Sequence, residues 1–419
     1  MRKLLGKLVA AATAVALGAS ALVGCTTSPK ADSAFEVAGI ITELDSYSFN
    51  MCVKTESADQ EFDMDLFGKC SKEAVSLGFK YKDEDNKYEV KELIIATPTS
   101  MYFNLKDAMD EFAEGMDLGV YGVEADWIKI EWDAVEQKEV DNSSIETIIK
   151  DAEKAYKDVI KNKDGKYVIE IDDKESAVAF VDATSVLLED KAADWSDIFA
   201  DVYSDMLTSA EDSDAVMTSM LTNILMDINK TMDAGYTKTE IEKIVKDKVI
   251  IDEEDSEEEN IFTADFIETE MKELAEILKE SVENSEDDEE EIGGSLKYTA
   301  YQKKNTYVTE ISMEIEDDIK TDYYDETSET KITYTVVDEK VKINIPSSNV
   351  MTLGEAIGNA LVKFGINPDF ENPQEGFDVE DIFSNGLLSG ITGGMNYDDY
   401  YGSGTDFDDI FGDEYFEWE

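Results

Sequence analysis

The sequence of 419 residues contains no histidine, and this absence removes several kinds of chemistry at once. Hydrolysis by a serine or cysteine with an imidazole base is excluded, and so are histidine-ligated zinc sites of the protease kind. Proline is also scarce, with five residues, which argues against long proline-rich linkers. These absences favour a non-enzymatic protein.

Positive charge is the third scarcity. The chain has 37 Lys and Arg residues against 98 Asp and Glu residues, a formal net charge of −61. Nucleic-acid phosphates and anionic lipid headgroups repel such a polyanion, so we predict no nucleic-acid partner. Cations, basic proteins and apolar ligands remain as partners. An apolar content of 42% still allows an ordinary packed core.

No pattern in the sequence predicts catalytic residues, a cofactor or a specific metal site. Among so many acidic residues, a pair of carboxylates is an uninformative match to a glycosidase dyad. The closest calcium-loop candidate surrounds Asn162–Gly165, but Ile160 and Ile171 occupy its first and last ligand positions. Weak, nonspecific binding of divalent cations by the acidic runs is the alternative that remains.

The amino terminus has the layout of a secretory signal. Arg2, Lys3 and Lys7 precede the apolar stretch Leu8–Val23, which is too short and too rich in alanine to be preferred as a spanning helix. We therefore predict a signal peptide over residues 1–24, followed by a polar tether over residues 25–35.

The end of this signal, Leu22–Cys25, resembles the lipobox of bacterial lipoproteins. The resemblance implies cleavage before Cys25 and attachment of acyl chains such as palmitate to this residue, which would anchor the protein to the cell membrane on its extracytoplasmic side. Each buried CH₂ of such chains contributes about 0.8 kcal/mol to anchoring. The alternative is an incidental cysteine near a conventional cleavage site.

Two further cysteines, Cys52 and Cys70, lie in or just after neighbouring strand-like segments, Tyr47–Lys54 and Glu61–Phe67. Disulfides persist in an exported protein, so we predict a structural disulfide between them. Free thiols are the alternative. A reactive dithiol is disfavoured because the CxxC spacing is absent.

Hydrophobic periodicity predicts a strand meander, a helical middle and a second group of strands. A short helix over residues 36–46 and strands up to about residue 133 come first, with a helix at Asn104–Met116 between them. The middle contains a helix at Ser143–Lys161, a strand at Lys166–Ile171 and four or five further helices. Strands return from Leu296, and the last predicted one, Val341–Ile345, precedes a helix at Thr352–Phe364.

The segment 365–419 contains no Lys or Arg and is rich in acidic and aromatic residues. Like charges without counter-charges oppose collapse, so we predict a disordered tail. Its aromatic residues can bind a partner. The alternative is a purely solubilising tail.

The order of elements resembles the LolA/LppX-like lipoproteins over roughly residues 36–133 and 296–346. The matching segments are Asp45–Phe49 after an amphipathic helix, Pro98–Leu105, Trp127–Ile130 and Lys342–Pro346. The resemblance implies an α+β fold in which a curved antiparallel sheet forms an unclosed barrel, with helices and a space for acyl chains on its concave side. The predicted domain covers residues 36–364, and its helical insertion, about residues 142–290, is longer than the covering helices usual in that family.

Two functions follow as hypotheses. The first is a lipid-anchored protein that binds or carries a lipid or another apolar ligand, for which adaptable methionines on the helices would provide a lining. These are Met206, Met217, Met220, Met226 and Met232. More often, methionines in such a pattern simply belong to the core. The second hypothesis is a surface module for protein–protein interaction through the helical region or the acidic tail.

Overall fold

The computed structural model describes residues 33–40, 44–57, 61–84, 86–112, 118–133, 143–248, 263–285, 294–317 and 326–365. The leader, Cys25, both acidic runs of the helical region and residues 366–419 lie outside these ranges, so the predictions made for them stay predictions.

The described strands form one open sheet of 12 strands in the order β12-β6-β5-β4-β3-β2-β1-β11-β10-β9-β8-β7. All neighbours are antiparallel except β12 and β6, which are parallel. The predicted α+β class with a curved, unclosed sheet is confirmed. The strands are β1 Ser46–Glu56, β2 Glu61–Ser71, β3 Val75–Lys82, β4 Lys87–Thr97, β5 Ser100–Asn104, β6 Trp127–Glu131, β7 Lys161–Lys163, β8 Lys166–Ile171, β9 Gly294–Lys303, β10 Thr306–Asp317, β11 Glu326–Asp338 and β12 Val350–Thr352.

Most of the helical residues lie in the insertion between β6 and β9. The described α-helices are α1 Ala34–Ala38, α2 Leu105–Phe112, α3 Ser143–Ala155, α4 Lys174–Met232, α5 Lys238–Lys248, α6 Ala264–Ser285 and α7 Leu353–Phe364. The insertion also contains the hairpin β7–β8, which extends the sheet beyond β9. The side chain of Ser33 accepts a hydrogen bond from the Glu36 N–H and caps α1.

The two groups of strands meet where β1 pairs with β11. The register runs without interruption from Tyr47 opposite Asp338 to Glu56 opposite Glu329. Because β10 occupies the other side of β11, no free edge remains beside it. The predicted strand over Val341–Ile345 is therefore wrong, and the Val341 N–H instead donates to Ser46 Oγ at 2.9 Å.

Helix α4 replaces several of the predicted separate helices with one helix of 59 residues. The sequence contains no proline or glycine between Lys174 and Met232 to end it earlier. Asp173 caps its start and accepts a hydrogen bond from the Ser176 N–H at 2.7 Å. At a rise of 1.5 Å per residue, α4 is about 88 Å long. It contacts β8 near one end of the sheet order and β6 near the other.

Helix α7 packs against the last turns of α4 through two glycines. A Cβ at Gly354 would lie 2.3 Å from the Ile224 carbonyl oxygen, and one at Gly358 would lie 2.8 Å from Thr231 Cβ. The backbones therefore approach more closely than any other side chain would allow. Thr352 caps α7 and donates through Oγ1 to Asp227 Oδ2 at 2.6 Å, which holds α7 beside α4.

The edge of the sheet at β8 is held by a carboxylate between two lysines. Lys163 Nζ donates to Glu170 Oε2 at 2.8 Å, and Lys297 Nζ donates to Glu170 Oε1 at 2.7 Å. These two contacts, first that of Lys163 and then that of Lys297, lower the pKa of Glu170 from its ordinary 4.5 to about 2. The ionised carboxylate thus links β7 and β9 through β8.

The variant Glu170→Gln should be less stable than the wild type by about 0.5–1 kcal/mol at neutral pH, the range of partly exposed ion pairs. Because the folded-state pKa is depressed, this stabilisation is present above pH 4.5 and is lost as the pH falls towards 2. Urea unfolding of both proteins between neutral pH and pH 3 measures the difference. Glu273→Gln, the same change at an exposed position of α6, is the control. A difference that grows on acidification would contradict the assignment.

Candidate apolar binding face

The two faces of the sheet differ sharply in chemistry. We call the inner face the one that α1 and α7 cover, because Val336 and Tyr307 of this face lie in the cluster with α1, and Ile128 lies in the cluster with α7. The strand registers place successive residues on alternate faces. The inner face of the central strands consists of Tyr47, Phe49, Met51, Val53 and Thr55 on β1, Phe62, Met64, Leu66, Gly68 and Cys70 on β2, Val75, Leu77, Phe79 and Tyr81 on β3, and Thr330, Ile332, Tyr334 and Val336 on β11.

Burial on the inner face changes along the strands. At the end where β1 begins, Val336 and Tyr307 are each 1% exposed beneath Val37 and Leu44. We call this the closed end. No residue of β1 or β2 is buried, although both strands are fully described. Apolar side chains such as Met51 and Met64 are thus only half-buried in the middle of the sheet.

A continuous row of aromatic rings lies at the opposite end, which we call the open end. Ring centroids are 6.2 Å apart between Phe62 and Tyr81, 6.2 Å between Tyr81 and Tyr88, and 5.3 Å between Tyr88 and Phe112. Phe112 of α2 also lies 6.3 Å from Phe79 and is 46% exposed. We call Phe62, Tyr81, Tyr88 and Phe112 the aromatic row; it joins β2, β3, β4 and α2.

The inner face of β1, β2 and β3 carries no Asp, Glu, Lys or Arg between Tyr47 and Tyr81. Charges on these strands lie on the outer face, where Lys80 contacts Asp65 at 2.9 Å and Lys54 contacts Asp63 at 3.4 Å. Paired charges in water are inexpensive, whereas unpaired charges away from water are not. The inner face is therefore suited to apolar contact, and the outer face to solvent.

Burial favours the neutral form of three titratable groups on the inner face. Burial raises the pKa of the Cys70 thiol, although its hydrogen bond with Tyr47 acts in the opposite direction. Burial, with a smaller contribution from Cys70, raises the pKa of Tyr334 to about 12. Burial also raises the pKa of Tyr47. At neutral pH these side chains add polarity to the inner face without adding charge.

The predicted disulfide between Cys52 and Cys70 is wrong, because both residues are free thiols. The prediction that their strands are neighbours is right, but the register places Cys70 opposite Tyr47 and Cys52 opposite Asp65. Five positions along β1 separate the two sites, about 16 Å at the usual rise. An odd separation also puts the side chains on opposite faces of the sheet.

The remaining predicted site residues are not brought together. Met220, Met226 and Met232 pack against the buried cluster shared by α4, α5 and α7, so they are core residues. The side chains of Met206 and Met217 lie outside the description. The segment Asn162–Gly165, whose sequence does not fit a calcium-binding loop, lies at the turn of the β7–β8 hairpin. Within the described ranges, no group of three or more acidic or cysteine side chains is placed to hold a metal ion.

Sequence reasoning missed the aromatic row. Its signals were the alternation of Phe62 with Met64 and Leu66, and the tyrosines that flank the β3–β4 turn at positions 81 and 88. The position of Phe112 beside them depends on how α2 packs against β4, which no local pattern encodes. Among the helices that the structure describes, none has the length and apolar character needed to cross a membrane.

No protein-family model matches the chain, and the comparisons with curated proteins and with solved structures also found no match.

Alkylation of the unfolded protein without a reductant should modify both Cys52 and Cys70, because neither sulfur is bonded in the fold. Mass spectrometry of residues 26–419, which contain every described element and no other cysteine, should show two adducts per chain. Prior reduction should leave that number unchanged. Two adducts that appear only after reduction would contradict the register of β1 and β2.

Proposed function

We propose that this protein is a membrane-anchored extracytoplasmic lipoprotein that binds or carries a lipid or another apolar ligand and performs no catalysis. The observation that carries the proposal is the uncharged inner face, whose apolar side chains remain half-exposed between the closed end and the aromatic row.

The energetic argument starts from those half-exposed side chains. Burying an apolar side chain fully stabilises a structure by about 1.5–3 kcal/mol relative to leaving it in water. The inner-face residues of β1 and β2 gain only part of this from the fold itself. An acyl chain lying against them would supply the rest, since each methylene removed from water contributes about 0.8 kcal/mol.

The arrangement of layers supports the same function. Helix α4 contacts β6 and β8, and the helices that pack with it form separate clusters at the two sides of the sheet. The described hydrophobic clusters include no residue of β2 or β3. A curved sheet with helices on one face is also the architecture that the resemblance to the LolA/LppX-like lipoproteins implies. The proposed membrane anchor rests on the lipobox and Cys25.

A second candidate function is protein–protein interaction through the helical region. Val186 and Phe199 of α4 are 51% and 42% exposed, so these two large apolar side chains are available to a partner. The acidic aromatic tail is the other surface for such a partner. This candidate requires no ligand on the inner face.

Titration of residues 26–419 with the apolar dye N-phenyl-1-naphthylamine tests the inner face. We expect saturable fluorescence enhancement, and Val53→Glu should weaken dye binding about tenfold or more, because a carboxylate on this face must lose water when the dye binds. Lys54→Glu, the next residue on the outer face, should bind as the wild type does. Val53→Thr, a milder change, should give an intermediate affinity.

Native mass spectrometry of the full chain from its host complements this titration. The proposed ligand function would be overturned if the protein carried no bound lipid and if Val53→Glu and Lys54→Glu bound the dye equally well. Circular dichroism of each variant establishes that the fold is retained.

Replacing Cys25 by Ser in the full chain should abolish labelling with radioactive palmitate and move the protein from the membrane to the soluble fraction, since the acyl chains provide the proposed anchor. Cys52→Ser and Cys70→Ser are matched controls and should remain labelled. Unchanged labelling of the Cys25 variant would contradict the lipoprotein assignment without affecting the inner face.

A further inference from the structure

We infer that the ligand of the inner face is an acyl-chain lipid without a negative charge, and that its head lies at the aromatic row while its chain points towards the closed end. This inference rests on the proposed function and adds the ligand class and its orientation.

The orientation follows from the two ends of the strands. At the closed end, Tyr307 and Val336 are buried beneath α1 and Leu44, so this end is filled by the protein's own side chains. Gly68 belongs to the same end, and a Cβ there would lie 2.9 Å from the Phe49 ring and 2.1 Å from the Ser76 carbonyl oxygen. An elongated ligand therefore reaches the middle of the inner face from the open end.

The charge selectivity follows from what faces the ligand. Between Tyr47 and Tyr81, the inner face of β1, β2 and β3 provides no Lys or Arg. Near the open end, Lys54 and Lys80 lie on the outer face and already contact Asp63 and Asp65. Lys82 and Lys87 follow and precede the row tyrosines, and the register places them on the outer face as well. A fatty-acid carboxylate would find no counter-charge and would approach a chain of net charge −61.

The aromatic row has the chemistry of a boundary between an acyl chain and water. Tyrosine combines an apolar ring with a polar hydroxyl, and rings of this kind suit positions where one end is apolar and the other wet. Tyr88 shows this directly, because its ring packs on Tyr81 and Phe112 while its hydroxyl donates to Asn86 Oδ1 at 3.3 Å. A neutral head with hydroxyl groups can form hydrogen bonds at this edge.

Competition against bound N-phenyl-1-naphthylamine tests the charge selectivity with two probes that share one acyl chain. Glycerol monolaurate is neutral, whereas laurate is ionised at neutral pH. With residues 26–419 we expect glycerol monolaurate to compete at least tenfold better than laurate, because only the carboxylate lacks a counter-charge. Equal competition, or better competition by laurate, would overturn the inference. The proposed function would still stand in that case, because binding of the dye itself tests it.

A gain-of-function variant sharpens the result. Met64 lies opposite Tyr81 on the inner face, and Tyr81 in turn lies opposite Tyr88. Met64→Lys should raise the affinity for laurate about tenfold and reduce the discrimination between the probes, because it supplies the missing positive charge. Met64→Gln adds polarity without charge and should keep the preference for the neutral probe. If both variants shift laurate affinity equally, the charge argument is wrong.

The position of the head is tested on the aromatic row. Tyr88→Ala and Phe62→Ala should each weaken glycerol monolaurate binding about fivefold or more, given the usual effect of removing a contacting ring. Phe67→Ala removes a ring from the outer face of the same strand as Phe62 and should leave binding unchanged. Melting temperatures of all three variants separate loss of binding from loss of stability. Equal binding losses in Phe62→Ala and Phe67→Ala would overturn the placement.

If the wild type binds no dye, the proposed function fails first and this inference falls with it.

Discussion

The pairing of β1 with β11 is the constraint on which the rest of the structure depends. It joins residues 47–56 to residues 329–338 in one uninterrupted antiparallel register, across almost the whole length of the domain. Without it, the amino-terminal meander and the carboxyl-terminal strands would be two separate sheets with exposed edges, which favour association. Because β1 pairs with β11, one continuous sheet runs from β12 to β7. The helical insertion packs on one face of this sheet, near β6 towards one end of the strand order and near β8 towards the other. Closing so long a loop is entropically costly and is favourable only because many ladder hydrogen bonds and side-chain contacts form together.

The inner face is a consequence of this single sheet and of the length of α4. The beginning of α4 packs with α3 and α6 at the β8 side, and its end packs with α5 and α7 at the β6 side. The central strands between these clusters keep half-buried apolar residues such as Val53 and Met64, while their outer face carries paired charges. The acidic residues of β1, β2 and β3 thus lie on the surface away from this face. Charge and apolar contact are separated by the two-residue period of the strands themselves.

Most elements of the fold could be predicted because their patterns are local. The strand Lys166–Ile171 agrees with β8 to the residue, and Thr352–Phe364 differs from α7 by one residue. Predictions failed where a local pattern needed a partner that the topology does not provide. Val341–Ile345 alternates like a strand, but β11 has no free edge to pair with it. Cys52 and Cys70 lie on neighbouring strands, but only the register shows that they face opposite sides. Part of the candidate site could be predicted from the sequence, because Phe62, Met64 and Leu66 alternate as in a strand with one apolar face. The contact of Phe112 with Tyr88 could not be predicted, because it depends on tertiary packing.

The sequence alone excluded chemistry that needs histidine. It also determined the excess of negative charge, the resemblance of residues 22–25 to a lipobox and the order of most helices and strands. These features depend on composition or on residues close together in the chain. The tertiary structure alone decided that the twelve described strands form one open sheet and that Cys52 and Cys70 remain apart. It also decided that the uncharged residues of β1, β2 and β3 share one half-exposed face with the aromatic row. The physical reason is that strand register and sheet edges are set by pairings between distant segments. A shift of one residue would move every one of these side chains to the other face.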